Sequence, residues 1–264
     1  MRKFLGIAVL LPLAIALATV PASAGRYSGS SQNPVHWMGQ LSANQLMTIK
    51  DVSGDVNAES AAGSSGEITA TISGPDADRV HVTINRTSEG VEACVVFDDQ
   101  DDACGHNHTS HNIRATVDFN LKVPRDVRLD AETVNGSVEA NDLGSNAKVA
   151  SVNGDASVST AGYAEAKSVN GSVRVRMGRT DWPGELRLES VNGTVEATVP
   201  ADLNADVRFE TLNGNVQSDF PYTVSGGTSI GMHGGGTHIE ARIGSGGREL
   251  RMQSVNGSIE LRKE

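Results

Sequence analysis

The chain has 264 residues, a formal net charge of -10 and only 4% aromatic residues. An acidic balance argues against nucleic acid or an anionic membrane surface as the main partner, since both call for a basic face. Few aromatics and 29 glycines exclude a large aromatic core and leave room for a repetitive β structure.

Residues 1–24 read as a secretory signal peptide. Arg2 and Lys3 form a basic start, an apolar run follows, and Ala22-Ser23-Ala24 makes a small-x-small cleavage site before Gly25. No Cys follows the run, which argues against a lipid anchor. No later stretch is apolar for the ~18 residues that a membrane span needs. Residues 25–34 are small and polar, a flexible lead-in.

The folded part is expected to start near Val35-His36-Trp37. Residues 42–49 offer the best helix candidate, though a short one. Residues 47–56 resemble the later repeat, with Ser53 where the others have Asn, and read as an imperfect first rung. Residues 67–84 alternate as two strands around a turn at Ser73-Gly74-Pro75-Asp76. Residues 91–97 form another strand, and 113–123 resume the pattern with Ala115, Val117 and Phe119 on one side. This N-terminal β region spans 35–123, and the repeat region 124–264 continues from it.

Between those strands lies an insertion, residues 98–112; of the only two cysteines, Cys94 precedes it and Cys104 lies within it, enclosing residues 95–103. In an exported protein such a pair reads as a disulfide. A ring this small stabilises by roughly 2–3 kcal/mol in loop-entropy terms. A redox pair would have two residues between its cysteines, and this pair does not. Asp101, Asp102, His106, His108 and His111 are ligand types suited to a divalent ion. Their spacing matches no ligand motif, so a solvated acidic loop is the plainer reading and no cofactor is expected.

From Pro124 one short phrase recurs. Its Asn-Gly pairs are Asn135-Gly136, Asn153-Gly154, Asn170-Gly171, Asn192-Gly193, Asn213-Gly214 and Asn256-Gly257. Successive Asn residues are 18, 17, 22, 21 and 43 apart. The doubled last gap suggests a degenerate copy, with Ser229-Ile230-Gly231 as candidate. Both residues of the pair tolerate positive φ, which marks a corner between extended segments. Val127, Leu129 and Ala131 alternate with Arg128, Asp130 and Glu132, as in a half-buried strand.

The fold class is therefore all-β. Identical words at identical places favour a parallel β-solenoid with imperfect rungs of 17–22 residues, stacked ~4.8 Å apart. The alternative is an antiparallel sheet built from hairpins, for which Asn-Gly is also a signal. Residues 179–184 and 219–221 read as outward loops, 242–251 as strand, and 261–264 as a charged tail closing the coil. The Gly-rich stretch 231–236 matches no phosphate-binding motif.

The Val-Asn-Gly corners resemble those of the bacterial putative-adhesin family of unknown function (DUF4097-like). Trp37-x-Gly39, the stretch 49–56, the Cys94/Cys104 loop, the stretch 118–124 and Gly246-Gly247-Arg248-Glu249-Leu250 look similar too. Together these cover residues 35–264. The resemblance implies a β-solenoid of the cell envelope, in the periplasm or at the surface. It brings no established ligand and supplies no catalytic residue; the long regular outward face suggests a non-enzymatic binding or scaffold role toward an envelope protein or polysaccharide. The alternatives are a polysaccharide-acting enzyme, for which Asp181 and the 98–111 loop are the only candidates, and an envelope-stress accessory.

Overall fold

The computed structural model describes residues 27–28, 33–97, 104, 113–229 and 236–264. The signal-peptide reading, most of the lead-in, the candidates Asp101, Asp102, His106, His108 and His111, and residues 231–235 lie outside them.

The described chain is all β apart from one 3-10 turn, Ala77–Arg79. The first strands are β1 (Tyr27–Ser28), β2 (Val35–Gln40), β3 (Leu46–Lys50), β4 (Val56–Ala61) and β5 (Ser65–Ser73). Next come β6 (Val80–Arg86), β7 (Gly90–Phe97) and β8 (Thr116–Pro124). The repeats then supply strands in pairs, split at each Asn-Gly corner. They are β9 (Arg128–Asn135) with β10 (Val138–Leu143), β11 (Ala147–Asn153) with β12 (Ala156–Thr160), and β13 (Ala164–Asn170) with β14 (Val173–Met177). They continue as β15 (Glu185–Asn192) with β16 (Val195–Val199), and β17 (Ala205–Asn213) with β18 (Val216–Ser218). The remainder is β19 (Tyr222–Ser229), β20 (Thr237–Ile243), β21 (Arg248–Asn256) and β22 (Ile259–Lys263).

Each pair forms one rung, with its first strand in a 12-stranded sheet and its second in a 10-stranded sheet. Neighbouring rungs pair in parallel and in register, as in Asn135 beside Asn153 beside Asn170. Every second residue points between the sheets, so Leu129, Ala131, Val138, Ala140, Val149, Val158 and their counterparts make one continuous core. The parallel solenoid thus describes the body of the molecule. Antiparallel pairing is confined to its two ends: β7 with β6 and β6 with β1, β8 with β5 and β5 with β2, and β17 with β20 and β20 with β19.

Stacking order departs from chain order twice. β3 and β4 lie between β7/β8 and β9/β10. At the other end β21 and β22 lie between β15/β16 and β17/β18. Among the described residues of the long gap before Asn256 no degenerate rung is found. Ser229 belongs to β19, which pairs antiparallel with β20. Nor is 261–264 a closing tail: Leu261 is fully buried and β22 sits inside its sheet.

Three further expectations are corrected. Residues 46–50 are strand rather than helix, because Met47 and Ile49 point into the core at period two. The stretch 242–251 is broken by a turn at 244–247, where Gly244 and Gly246 have φ of 57 and 73°. The loops at 179–184 and 219–221 turn aromatics inward. Trp182 is fully buried and Phe220 nearly so. The indole Nε1 of Trp182 donates to the Glu249 carbonyl at 2.9 Å, which ties the loop to β21. Trp182→Ala is expected to lower stability by about 3–5 kcal/mol, as for other buried aromatics cut to Ala. A urea titration giving less than about 1 kcal/mol would show that the indole only covers the core.

Cys94 and Cys104 are disulfide-bonded. Cys94 is buried on β7, so the bridge fixes one side of the insertion to a core strand.

Candidate functional site: the corner ridge

Four consecutive residues of each repeat have four different tasks. The Ser or Thr is buried. Its hydroxyl donates to the Gly carbonyl of the adjacent rung: Ser151 to Gly136 at 2.7 Å, Ser168 to Gly154 at 2.8 Å, Ser190 to Gly171 at 2.8 Å and Ser254 to Gly193 at 2.9 Å. Thr133 reaches Gly54 and Thr211 reaches Gly257 in the same way. A buried hydroxyl needs such a partner.

The next residue points outward. Val134, Val152, Val169 and Val191 are 38–40% exposed and Leu212 is 54% exposed. Val255, half-buried, fills the place between Val191 and Leu212. The alternation Val127, Leu129, Ala131 already carried this signal, since continuing it puts Thr133 inside and Val134 outside.

The Asn side chains form a ladder along the outside. Asn153 donates to Asn135 at 2.9 Å, Asn170 to Asn153 at 2.8 Å and Asn192 to Asn170 at 2.8 Å. Asn256 donates to Asn192 at 2.7 Å and Asn213 to Asn256 at 2.7 Å. At the far end Asn135 Nδ2 donates to the Val52 carbonyl at 3.3 Å.

The Gly comes last. Gly136 and Gly154 have φ of 149 and 159°, in the range that favours glycine, but Gly171, Gly193, Gly214 and Gly257 lie outside it, and no corner Asn has positive φ. Positive φ is therefore not the common reason for this residue. Close stacking is. A Cβ at Gly136, Gly154, Gly171, Gly193, Gly214 or Gly257 would lie 1.9–2.1 Å from the glycine carbonyl oxygen of the next rung.

In the first rung Asp51 takes the Ser/Thr place, one residue beyond the Lys50–Glu132 register pair. It is 5% exposed. It accepts hydrogen bonds from the Val52 amide at 2.7 Å and the Ser53 amide at 3.3 Å, and its Oδ2 lies 3.2 Å from Thr133 Oγ1, whose single proton it shares with the Gly54 carbonyl. Burial outweighs these bonds and pushes its pKa up to about 7, with a small further push from the Asp118 charge. The folded state thus holds this proton more tightly than the unfolded chain. Its stabilising contribution is complete below the unfolded value of 3.8 and fades as pH rises through about 7. Moving from about pH 5 to about pH 8 should cost roughly 2–3 kcal/mol through this group. Asp51→Asn should lose that component. Parallel pH–stability curves for the two proteins would contradict the assignment.

Other chemistry-bearing groups are tied up locally. Asp181 pairs with Arg179, which holds its carboxyl below the usual range and unsuits it as a proton donor. The outer-face groove around Arg208 and Arg242 is closed by ion pairs, Arg242–Asp206 at 2.8 Å and Arg208–Glu240 at 2.9 Å. Among the described residues no group of three or more His, Cys, Asp or Glu is placed to hold a metal ion. Among them, too, no helix is long and apolar enough to cross a membrane.

These features define a two-sheet β-solenoid with a ladder-lined corner. No family model matches the chain, and no curated protein matches it. Solved structures do. A putative cell adhesion protein from Clostridium sporogenes is 10% identical, over 88% of this chain and 100% of its own, with a TM-score of 0.48. A putative adhesin from Bacteroides fragilis is 10% identical, over 88% and 98%, at 0.26. A putative lipid binding protein from Parabacteroides distasonis is 12% identical, over 89% and 98%, also at 0.26. At such scores function has to be read from this chain's own surface.

Proposed function

We propose that this is an exported, non-enzymatic envelope protein, an adhesin-like binding or scaffold module whose working surface is the corner ridge. One observation carries the reading. A row of outward Val and Leu, exposed at every rung but half-buried Val255, runs beside a hydrogen-bonded Asn rail from Val134 through Val191 to Leu212. Core packing does not require those side chains to be apolar, because they point away from it. A regular face of this kind binds through many equivalent weak contacts.

Supporting features lie elsewhere in the chain. The leader-like residues 1–24 and a disulfide both suit an oxidising, extracytoplasmic compartment. The Val-Asn-Gly resemblance adds the same expectation. Catalysis is disfavoured by Asp181, whose carboxylate is committed to Arg179.

The test is cross-linking capture from the producing cell's envelope extract. Wild type would be compared with Val169→Asp/Val191→Asp and with Glu139→Ala on the opposite sheet. The reading expects the ridge variant alone to lose its partner. Equal capture by all three would move the working surface elsewhere.

A further inference from the structure

The ridge has a shape that selects among partners. It is one side chain wide and, at ~4.8 Å per rung, about 24 Å long from Val134 to Leu212. The Asn rail borders it on one side. An amide has two N–H donors and two acceptor positions. An interior Asn such as Asn170 spends one of each on the ladder, which leaves one of each facing solvent per rung. On the other side the charges are mutually closed: Lys148–Glu132 at 3.4 Å, Lys167–Glu189 at 3.0 Å and Arg251–Glu210 at 2.8 Å. The strip therefore offers methyl groups and amides with little unpaired charge.

This excludes most occupants. A strip one side chain wide falls short of the ~800 Å² per partner that a stable protein interface buries. An extended peptide advances ~3.4 Å per residue and falls out of step with rungs ~4.8 Å apart. An acidic polymer meets a chain of net charge -10. A chain of equatorially linked pyranose rings advances by roughly one rung spacing per ring, each ring turned over relative to the last. Each ring has apolar C–H faces and hydroxyls at its rim.

The geometry points to a neutral, equatorially linked polysaccharide lying along the ridge, one ring per rung. Ring faces rest on Val152, Val169 and Val191, and hydroxyls meet the free amide positions of Asn153, Asn170 and Asn192. This rests on the ridge being the binding face. Contacts that repeat per rung make affinity grow with ligand length.

Calorimetric titration with beta-linked gluco-oligosaccharides and chito-oligosaccharides, from disaccharide to hexasaccharide, tests it. Affinity should rise by about tenfold or more over that range in at least one series. Val169→Ser/Val191→Ser should abolish the rise, while Val224→Ser on β19 should leave it intact. No binding of either hexasaccharide, or binding indifferent to the ridge serines, overturns the inference. The envelope capture separates the two levels. Ridge-dependent capture of a protease-sensitive partner, without sugar binding, overturns the polysaccharide and leaves the ridge. Capture independent of the ridge overturns both.

Discussion

Removing residues 248–264 is expected to unfasten one end of the solenoid. β21 and β22 are inner strands, each bonded to a rung on both sides. They bring Leu250, Met252, Ile259 and Leu261 into the core, all at 0–1% exposure. At ~1.5–3 kcal/mol per side chain these are worth on the order of 6–12 kcal/mol, comparable to a whole domain's stability of about 5–15 kcal/mol. The loss does not stop there. Thr211 Oγ1 loses the Gly257 carbonyl and the Trp182 indole loses Glu249. β17 loses its only parallel neighbour and keeps only its antiparallel partner β20.

The expected result is regional. In hydrogen exchange, residues 205–243 of the truncated protein should lose protection, while β9 to β14 keep theirs. A synthetic peptide of residues 248–264, added in excess, should restore it. Unchanged protection over 205–243 would mean that β17 docks without β21, contrary to the observed order. The topology also makes a folding statement. β17 is synthesised before the strands that attach it, so that end closes only when distant segments meet, which is slow.

The body of this fold was legible in the sequence for a physical reason. A parallel coil stacks each residue on its own counterpart, so the corner word has to repeat. Stacking order was not legible, for the same reason. Asn256 offers the amide that any other rung offers, and nothing local says whether it meets Asn192, Asn213 or both. Register is written in the word; neighbour choice is not. Residues 46–50 misled because Leu46, Met47 and Ile49 fit a helical face as readily as a strand. Trp182 misled because the loop around it has the Asp-Pro-Gly composition of exposed turns, and composition does not say where one indole points. The ridge was half legible. Continuing the alternation past Ala131 would place Val134 outside, but an apolar residue in a strand invites assignment to the core, and only the buried Ser/Thr row removes that choice.

Gly171→Ala should be strongly destabilising, and the sign of the effect is what makes it informative. Gly171 lies outside the left-handed φ range. At a compatible φ, Gly→Ala ordinarily stabilises by about 0.4–1 kcal/mol by restricting the unfolded chain. Here the added carbon would sit 2.0 Å from the Gly154 carbonyl oxygen and 2.4 Å from its carbonyl carbon. Both are backbone, so no side-chain rotamer relieves the overlap. Relief requires the two rungs to part. That breaks the Ser168 bond to Gly154 and strains the Asn170 bond to Asn153. The expected loss exceeds about 4 kcal/mol, beyond the range of most point changes. Gly184 supplies the control for an added methyl in open space. It has φ 68° and nothing within 4 Å of its Cβ position, so Gly184→Ala bears only conformational strain, on the order of 1–2 kcal/mol. Urea unfolding of the two variants compares stacking with strain directly. A Gly171 variant as stable as wild type would remove close rung contact as the reason for glycine at this corner. It would return the repeat to a question of turn geometry alone.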